Sequence, residues 1–482
     1  MKSLLEWLPE HTSLAGVKGQ DLTLDSREVR RGSVFVALRG RAVDGHDYVQ
    51  AAVDAGAVAI LAEHPVASPV NIPLVVIPEL RQRLGELADA FYDHPSQQLN
   101  MVGITGTNGK TSTCQYIAQS LDFLGRRCGI IGTNGQGLWG ALQETLNTTP
   151  DVVRLHRELA RQWQQGGRYC AMEVSSHGLD QRRVDGVALR SAIFTNLSRD
   201  HLDYHGTMEA YGEAKWRLLR WPGLRTAIVN ADDTWAQQNH HRIEAEQVLT
   251  YGLAEAADIR VRQYRCHPTG LDAELETPWG PAELNLPLLG VFNLSNALAA
   301  FTLLLAESVP LSTAARVISN LRPVKGRMEV FRLTSGPSVV VDYAHTPDAL
   351  EKALAACRDH VSGRLGVIFG CGGDRDRGKR PEMARAAESS ADFVVITDDN
   401  PRSEASADIL NDVLAGFEQP ERVTCISDRR EAILQTLSQC STEDVVLIAG
   451  KGHEAYQEIQ GIRHHFSDQE IVQSWQEVPH VD

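Results

Sequence analysis

The sequence lacks any long apolar run. No stretch approaches the about 20 apolar residues that a helix needs to span a bilayer. The apolar patch at residues 4–8 is interrupted by Glu6 and followed by Pro9 and Glu10, which fits neither a signal peptide nor a membrane anchor. There is also no internal repeat or low-complexity tract. We therefore expect a cytoplasmic protein with no membrane partner.

Paired cysteines and an excess of basic residues are also missing. The eight cysteines are scattered without a Cys-x-x-Cys pair, which excludes a disulfide framework or a cysteine zinc site and predicts reduced thiols. The net charge of −15 argues against nucleic-acid binding, because a phosphate backbone would be repelled. A chain of 482 residues with 43% hydrophobic content is a soluble globular protein too long for one core, so we expect two to four domains.

A glycine-rich segment at residues 103–112 has the ingredients of a loop that binds a nucleotide triphosphate. Its glycines let backbone N–H groups close around phosphate oxygens, Lys110 would neutralise the β- and γ-phosphates, and Thr111 offers a hydroxyl to Mg²⁺. Apolar residues precede it as the end of a strand, and residues 112–124 predict a helix whose N-terminus faces the anion. Ile104 occupies the usual first-glycine position, so the loop is a variant. A purely structural turn is the alternative, but the strand–loop–helix context favours phosphate binding.

Strand and helix patterns divide the chain into three α/β domains. Residues 1–90 combine short strand-like runs with Gly and Asp turns. Residues 91–325 alternate buried strands with helices, which predicts a central, largely parallel sheet, and shorter runs at 257–289 predict an antiparallel addition. Residues 326–482 repeat strand-plus-helix units, which predicts a C-terminal Rossmann-like domain.

Two segments of the central domain are candidate metal sites. Glu173 stands at a strand end, where ligands bind in open α/β sheets, although an isolated acid there is more often solvated. Residues 200–205 concentrate titratable side chains. His201 and His205, four residues apart, suit zinc on a helix face, whereas a site beside a nucleotide suits Mg²⁺ and its hard oxygen ligands. The phosphate-binding loop favours magnesium.

Lys215 lies in the amphipathic helix pattern of residues 211–219. From the pattern alone we expect a solvated side chain, because lysine is rarely buried unless it is paired.

Three polar loops follow predicted strands of the third domain, at residues 370–380, 398–402 and 450–454. Pro401 would fix a turn that points Arg402 outward, where its planar guanidinium can take a carboxylate bidentately. We expect the three loops to share one face, whose mixture of Arg and Glu suits a zwitterionic amino acid. Near the second boundary, the acid, aromatic and proline turn of residues 342–347 could grip an adenosine ribose and base.

Taken together, these motifs cover essentially the whole chain and resemble those of the Mur ligases of bacterial peptidoglycan synthesis. The shared segments are the Gly-Thr-Asn-Gly-Lys-Thr loop, the Glu before Ser-Ser-His, the His of the Asp-His cluster and the Asp-Tyr-Ala-His-Thr-Pro stretch. The loop's unusual spacing is that of this family. Asp-Asn-Pro-Arg at residues 399–402 looks like the signature of the members that add meso-2,6-diaminopimelate to UDP-N-acetylmuramoyl-L-alanyl-D-glutamate.

The resemblance implies roles for individual residues. The residues implied to bind ATP are Gly106, Thr107, Asn108, Gly109, Lys110, Thr111, Ser112, Asn293, Arg327 and Asp342. Those implied to bind the UDP-muramoyl-dipeptide are Leu24, Ser26, Arg41, Ala42, Val43, Asn147, Thr148, Thr149, Ser175, Gln181 and Arg183. Those implied to bind meso-diaminopimelate are Arg375, Asp399, Asn400, Pro401, Arg402, Gly450 and Glu454. The implied Mg²⁺ ligands are Thr111, Glu173, His201 and a carbamoylated Lys215, and the implied catalytic residues are Lys110, Lys215, His201 and Glu173.

The resemblance also implies an activity, namely ATP-dependent amide formation through an acyl phosphate by a cytoplasmic monomer that makes a peptidoglycan precursor. Arg402 would bind the distal carboxylate that lysine lacks. Three alternatives stay open at this point: a lysine-adding ligase, a folylpolyglutamate synthetase with a similar loop, and a nucleotide-gated switch protein. The last has no support from an Asn-Lys-x-Asp guanine motif.

Overall fold

The computed structural model of the protein describes residues 1–40, 43–66, 70–145, 147–267, 269–334 and 336–477. Contacts divide the chain into two units, Met1–Ala257 and Asp258–Asp482. The domain boundaries expected at residues 90 and 325 stay predictions. Within the described ranges, no helix has the length and apolar character to cross a membrane. All eight cysteines are free thiols.

The first unit alternates strands and helices. Its strands are β1 Lys2–Ser3, β2 Lys18–Gly19, β3 Asp21–Thr23, β4 Ser33–Ala37, β5 Ala59–Ala62, β6 Leu74–Val76, β7 Asn100–Thr105, β8 Cys128–Gly132, β9 Gly135–Leu138, β10 Tyr169–Glu173, β11 Ser191–Phe194, β12 Thr226–Asn230 and β13 Gln247–Gly252. Its α-helices are α1 Leu4–Trp7, α2 Val49–Asp54, α3 Leu80–Phe91, α4 Pro95–Gln98, α5 Lys110–Phe123, α6 Val152–Gln164, α7 Ser176–Asp180, α8 Leu202–His205, α9 Met208–Trp216 and α10 Thr234–Asn239. Short 3₁₀ helices lie at Thr12–Leu14, Ser26–Glu28, Gly45–Tyr48, Arg217–Arg220 and His240–Arg242.

Two parallel sheets organise this unit. The smaller sheet has the order β3-β4-β5-β6, and all of its pairs are parallel. The larger sheet runs β13-β12-β11-β7-β10-β8-β9, parallel except for the last pair. The chain leaves β7 towards β8 on one side and later returns to β11 on the other side. The strand order therefore switches at β7, and ligands bind at the carboxyl ends of strands beside such a point.

The second unit contains the remaining elements. Its strands are β14 Ile259–His267, β15 Gly270–Thr277, β16 Gly280–Leu286, β17 Glu329–Arg332, β18 Ser338–Asp342, β19 Leu365–Phe369, β20 Phe393–Ile396, β21 Val423–Cys425, β22 Val445–Ala449, β23 Tyr456–Ile459 and β24 Ile462–His465. Its helices are α11 Val291–Ala306, α12 Leu311–Ser319, α13 Pro347–Arg358, α14 Lys379–Ser390, α15 Ser406–Leu414, α16 Arg429–Ser438, α17 Asp468–Glu477 and the 3₁₀ turn Pro420–Arg422.

The main sheet of the second unit has the order β17-β18-β22-β19-β20-β21. Its pairs are parallel except for β17 with β18. Successive residues of β18 enter different cores: Val340 packs into one cluster, whereas Val339 and Val341 pack into another. Both faces are thus covered, which explains why these strands read as continuous apolar runs in the sequence. The strands β14, β15 and β16 form an antiparallel meander, as predicted.

The α/β fold class is confirmed. The sequence pattern predicts buried strands at residues 365–369 and 393–396, and the structure has strands with these bounds. The helix predicted to begin at Ser112 begins at Lys110, because Gly109 adopts the left-handed conformation (φ 85°) that starts it.

Candidate active site

The phosphate-binding loop joins β7 to α5 at the carboxyl edge of the larger sheet. Gly109 occupies the N-cap of α5, and no side chain caps the helix there. The helix α5 thus begins directly at the glycine-rich loop, and the backbone N–H groups of a helix N-terminus are an arrangement that binds phosphate. Gly106 has a φ of 145°, and a Cβ at this position would lie 1.9 Å from Thr195 Oγ1. Only glycine fits this close approach.

Residues after β11 hold the loop in place. The backbone N–H of Thr107 donates to the carbonyl of Asn196 at 2.8 Å, and the Asn108 N–H donates to Asn196 Oδ1 at 3.0 Å. Thr195 Oγ1 donates to the Asn108 carbonyl at 2.6 Å. Sequence reasoning missed Thr195 and Asn196. Their position directly after a buried strand was the available signal.

Two lysines donate to carbonyl oxygens of this loop. Lys110 Nζ lies 2.8 Å from both the Gly106 and Thr107 oxygens, and Lys215 Nζ lies 2.7 Å from the Gly106 oxygen. Lys215 is 1% exposed and lies 4.4 Å from the centre of the Tyr211 ring, so the prediction of a solvated lysine is wrong. Burial lowers the pKa of Lys215 well below its usual value, and the positive charge of Lys110 lowers it further.

Glu173 ends β10 beside β7 and is buried, which contradicts the expectation of a solvated acid. Its Oε2 accepts a hydrogen bond from Thr111 Oγ1 at 2.9 Å. Its Oε1 accepts one from the Thr133 N–H at 2.8 Å. Two of the predicted metal ligands are thus in contact, and their oxygen atoms fit the hard donors that Mg²⁺ prefers. Thr133 is a further residue that sequence reasoning missed.

His201 lies at the start of α8 in the left-handed conformation (φ 51°). Its half-exposed side chain lies 3.5 Å from the Asp200 carboxylate, and its ring packs edge-on against Tyr211. The Tyr211 hydroxyl lies 3.3 Å from Thr107 Oγ1, which links this region to the loop. The described residues contain no group of three His, Cys, Asp or Glu side chains arranged to hold a metal ion, so the zinc interpretation has no support. The metal role of His201 stays a prediction.

Two cavities of the first unit gather residues predicted to bind the UDP-linked substrate. The first, of about 600 Å³, is lined by Leu24, Ser26 and Val43. The second, of about 690 Å³, is lined by Asn147, Gln181 and Arg183, and again by Leu24. Because Leu24 lines both, the two cavities adjoin. Arg41 and Ala42 lie outside the described residues.

The second cavity leads towards Glu173. Arg183 donates to the Thr149 carbonyl at 2.9 Å, and Thr149 Oγ1 donates to the Glu173 carbonyl at 2.9 Å and lies 3.1 Å from Ser175 Oγ. Thr148 Oγ1 lies 3.0 Å from the Thr133 hydroxyl. These predicted dipeptide residues therefore connect the cavity to the carboxylate that contacts the phosphate-binding loop.

In the second unit, three residues predicted to contact ATP are buried or partly buried. The Asp342 carboxylate accepts the N–H groups of Met328 and Ala344 at 2.7 and 2.8 Å, and burial raises its pKa. The Arg327 guanidinium lies 4.8 Å from the centre of the Tyr343 ring. Asn293 Nδ2 donates to the Leu289 carbonyl at 2.9 Å. Their contacts with ATP stay predictions.

The three polar loops of the second unit do meet at one edge of its sheet, as predicted, because they follow the adjacent strands β19, β20 and β22. Asn400 Nδ2 donates to Glu454 Oε2 at 3.0 Å, and a Cβ at Gly450 would lie 2.7 Å from Asp399 Oδ2. A Cβ at Gly372 would lie 2.9 Å from Arg402 Nη1 and 3.6 Å from Arg375 Cγ. Both arginines therefore flank the same glycine.

Arg402 does not point simply outward, which corrects the sequence interpretation. Its backbone is left-handed (φ 53°), and Nη1 donates to the Gly373 carbonyl at 2.7 Å. Its backbone pairs with Glu458 and Gln460 of the hairpin β23–β24. The half-buried guanidinium is thus held against the loop of residues 370–380 that follows β19, which we call the glycine loop. No described side chain or backbone oxygen other than that of Gly373 accepts from it, so N–H groups remain for a ligand.

Lys451 is a residue of this site that sequence reasoning passed over. It is fully buried, and its Nζ lies 3.2 Å from Asn400 Oδ1 and 3.5 Å from Glu454 Oε2. Burial lowers its pKa, and the negative charges of Asp399 and Glu454 oppose that change. Lys451 thereby orients the Asn400 amide so that its NH₂ group faces Glu454.

Three segments of the chain match models of one protein family. Residues 20–92 match the family model described as "Mur ligase family, catalytic domain". Residues 104–304 match "Mur ligase middle domain", and residues 326–452 match "Mur ligase, glutamate ligase domain". Except for Gly103, His453 and Glu454, the phosphate-binding loop and the three polar loops fall within the last two segments.

Full-length relatives are also similar. The chain is 49% identical over 472 residues to the UDP-N-acetylmuramoyl-L-alanyl-D-glutamate–2,6-diaminopimelate ligase of Pseudomonas aeruginosa, with 96% of each chain covered. It is 47% identical to the protein of the same name from Neisseria meningitidis, with 95% of each chain covered. A solved structure of a ligase of that name is 37% identical, has a TM-score of 0.72 and covers 99% of both chains. The chain belongs to the Mur ligase family.

Proposed function

We propose that this protein uses ATP to join meso-2,6-diaminopimelate to the D-glutamate γ-carboxylate of UDP-N-acetylmuramoyl-L-alanyl-D-glutamate. The observation that carries the proposal is the meeting of Arg402, Arg375, Asn400 and Glu454 at one edge of the second unit's sheet. These residues offer the cationic and anionic groups that an amino acid with two carboxylates and two amines requires. The names of relatives that are nearly half identical along their whole length support the same substrates.

The first unit has the chemistry to activate a carboxylate. The γ-carboxylate is a poor electrophile, so it attacks the γ-phosphorus of ATP, releases ADP and becomes an acyl phosphate. Two anions must approach each other in this step. Lys110 and the N-terminus of α5 lower that repulsion, because they place positive charge where the negative charge of the phosphoryl group develops. The amine of diaminopimelate then attacks the acyl carbon, phosphate leaves and the amine loses a proton.

The cavities position the UDP-linked substrate for this attack. Its uridine end would occupy the cavity lined by Leu24, Ser26 and Val43, and its dipeptide the one lined by Asn147, Gln181 and Arg183. The Arg183 guanidinium suits a substrate carboxylate. The chain of contacts through Thr149 to Glu173 would then bring the γ-carboxylate to the phosphate-binding loop.

Thr111 and Glu173 fit a Mg²⁺ ion, which proteins commonly bind through one or two carboxylates together with substrate phosphates. His201 and a carbamoylated Lys215 are proposed as further ligands. When bound, Mg²⁺ neutralises negative charge on the phosphates. Lys110 and the N-terminus of α5 would hold the phosphates, and the residues that line the second cavity would hold the substrate that carries the carboxylate.

Carbamoylation of Lys215 is consistent with its surroundings. A carbamate forms when a neutral amine attacks CO₂, and burial beside Lys110 favours the neutral amine. The product is an anion at the place where a cation would repel Mg²⁺. The modification thus reverses the sign of the charge that Lys215 contributes.

An assay of amide formation tests the proposal. With ATP and the UDP-linked dipeptide present, meso-diaminopimelate should give ADP and a new amide in equal amounts, whereas L-lysine should give little of either. Equal turnover of the two amino acids would overturn the assignment of diaminopimelate. ADP release without an amide would favour a nucleotide-gated switch, and product with a folate substrate would favour a folylpolyglutamate synthetase. A monomer acting in the cytoplasm stays our expectation.

A further inference from the structure

A carboxylate two residues after Arg402 fastens the Arg402 turn to the glycine loop. Glu404 Oε1 accepts the backbone N–H of Asp374 at 2.6 Å and Arg380 Nη2 at 2.8 Å. Its Oε2 accepts Arg377 Nη2 at 2.9 Å and Arg380 Nη1 at 3.1 Å. Glu404 therefore collects three partners that all belong to the loop after β19 or to the start of α14. These hydrogen bonds hold the pKa of Glu404 down at about 2, so it stays ionised.

Arg380 is the buried anchor of this network. Its side chain has no exposure, and it donates to Asp412 Oδ2 at 2.7 Å on α15 and to the Gly372 carbonyl at 3.3 Å. A buried guanidinium must be paired, because an unpaired buried charge is costly. Glu404 and Asp412 both form ion pairs with Arg380. Only Glu404 also binds the glycine loop.

The network surrounds the atoms that position Arg402. The Gly373 N–H donates to the Asn400 carbonyl at 2.9 Å, and the Gly373 carbonyl accepts from Arg402 Nη1. A Cβ at Gly373 would lie 1.9 Å from the Pro401 oxygen, so the two loops are in tight contact. Any change in the separation of the loops therefore moves the guanidinium of Arg402.

We infer that Glu404, anchored by Arg380, is a positioning residue that sets the separation between the Arg402 turn and the glycine loop and thereby the selection for an amino acid with a distal carboxylate. This inference rests on the proposed function. A guanidinium binds a carboxylate through two parallel hydrogen bonds only in a narrow geometry, and a shift of about 1 Å can cost up to about 10²-fold in rate. In this role Glu404 acts through Arg402 and does not itself bind the amino acid.

The test compares two substitutions that remove a charge from the same Arg380. Glu404→Gln should raise the KM for meso-diaminopimelate by about tenfold or more and reduce its preference over L-lysine, with the KM for ATP unchanged. Asp412→Asn should leave both KM values within about twofold of wild type, because Asp412 does not touch the glycine loop. A role in stability alone would lower the active fraction, and hence kcat, without changing either KM.

A second variant covers the case in which Glu404→Gln does not fold. Glu404→Asp keeps the charge but shortens the side chain, so it should fold and still raise the KM for meso-diaminopimelate. An unchanged KM in the folded Glu404 variants, or an equal increase in Asp412→Asn, would overturn the inference. A wild-type enzyme that forms no amide with meso-diaminopimelate would instead overturn the proposed function, so the two failures are distinguishable.

Discussion

The phosphate-binding region of the first unit and the amino-acid region of the second unit hold their basic side chains in different ways. In the first, Lys110 and Lys215 donate to backbone carbonyl oxygens, which carry only partial charge. In the second, buried Lys451 and Arg380 lie beside the carboxylates of Glu454 and Glu404. Carbonyl oxygens orient a cation without neutralising it. We infer that the first region orients two amines, Lys110 to face the triphosphate and Lys215 to carry the proposed carbamate, whereas the second region sets carboxylates beside its buried cations.

The comparison predicts that removing Lys215 has the largest effect. Lys215→Ala should lower the rate of ADP release by about 10³-fold, because the phosphate region would lose the group proposed to carry the carbamate. Added formate or acetate should restore part of the activity. Lys352→Ala is the control, since Lys352 is exposed and pairs with Asp348 within one helix, and it should behave like wild type. Full activity of Lys215→Ala would contradict the carbamate proposal.

Replacing Glu173 tests the oxygen ligands of the same region. Glu173→Gln should lower kcat by about 10²-fold and raise the Mg²⁺ concentration needed for half-maximal rate, because an amide binds the ion less well than a carboxylate. Glu158→Gln is a matched control, since Glu158 is also buried but bonds to Gln162 away from the loop. The measurement is a Mg²⁺ titration of ADP release. An unchanged Mg²⁺ requirement in Glu173→Gln would rule out its role as a ligand.

Arg402 tests the second region. Arg402→Ala should raise the KM for meso-diaminopimelate by about 10- to 100-fold and leave the KM for ATP nearly unchanged, because loss of a charge-assisted pair acts locally. Arg463→Ala is the control, since this arginine lies largely exposed on the hairpin β23–β24. Initial rates at varied concentrations of each substrate give both constants. Equal increases in the two KM values would contradict the separation of roles between the two regions.

Sequence reasoning found the residues whose position follows from a motif. Glu173 was identifiable because it ends a strand beside the switch point, and the three polar loops of the second unit because each follows a parallel strand. The order of the strands is enough to place these residues together at the carboxyl edge of a sheet. The family resemblance then implied which substrate each of these motifs binds.

The remaining site residues depend on packing that no short pattern records. Lys215 is buried because its side of the short helix α9 packs against the phosphate-binding loop, and the helical pattern of residues 211–219 did not show that this side is covered. Thr133 reaches Glu173 through the pairing of β8 with β10. The contact of Lys451 with Asn400 joins loops 51 residues apart. Such contacts follow from tertiary structure rather than from local sequence.

A predicted effect outside catalysis concerns stability in acid, where burial of His453 in the second region disfavours its positive charge. Burial lowers the pKa of His453 to about 4, and the positive charges of Arg327 and Lys325 act in the same direction. The unfolded chain takes up this proton near pH 6.5, so between about pH 6.5 and about pH 4 the folded state loses up to about 3 kcal/mol relative to the unfolded state as the pH falls. His453→Phe should therefore flatten the pH dependence of urea unfolding in that window. If wild type and variant lose stability in parallel, His453 is not the group responsible, and the second region tolerates an additional buried cation beside Arg327.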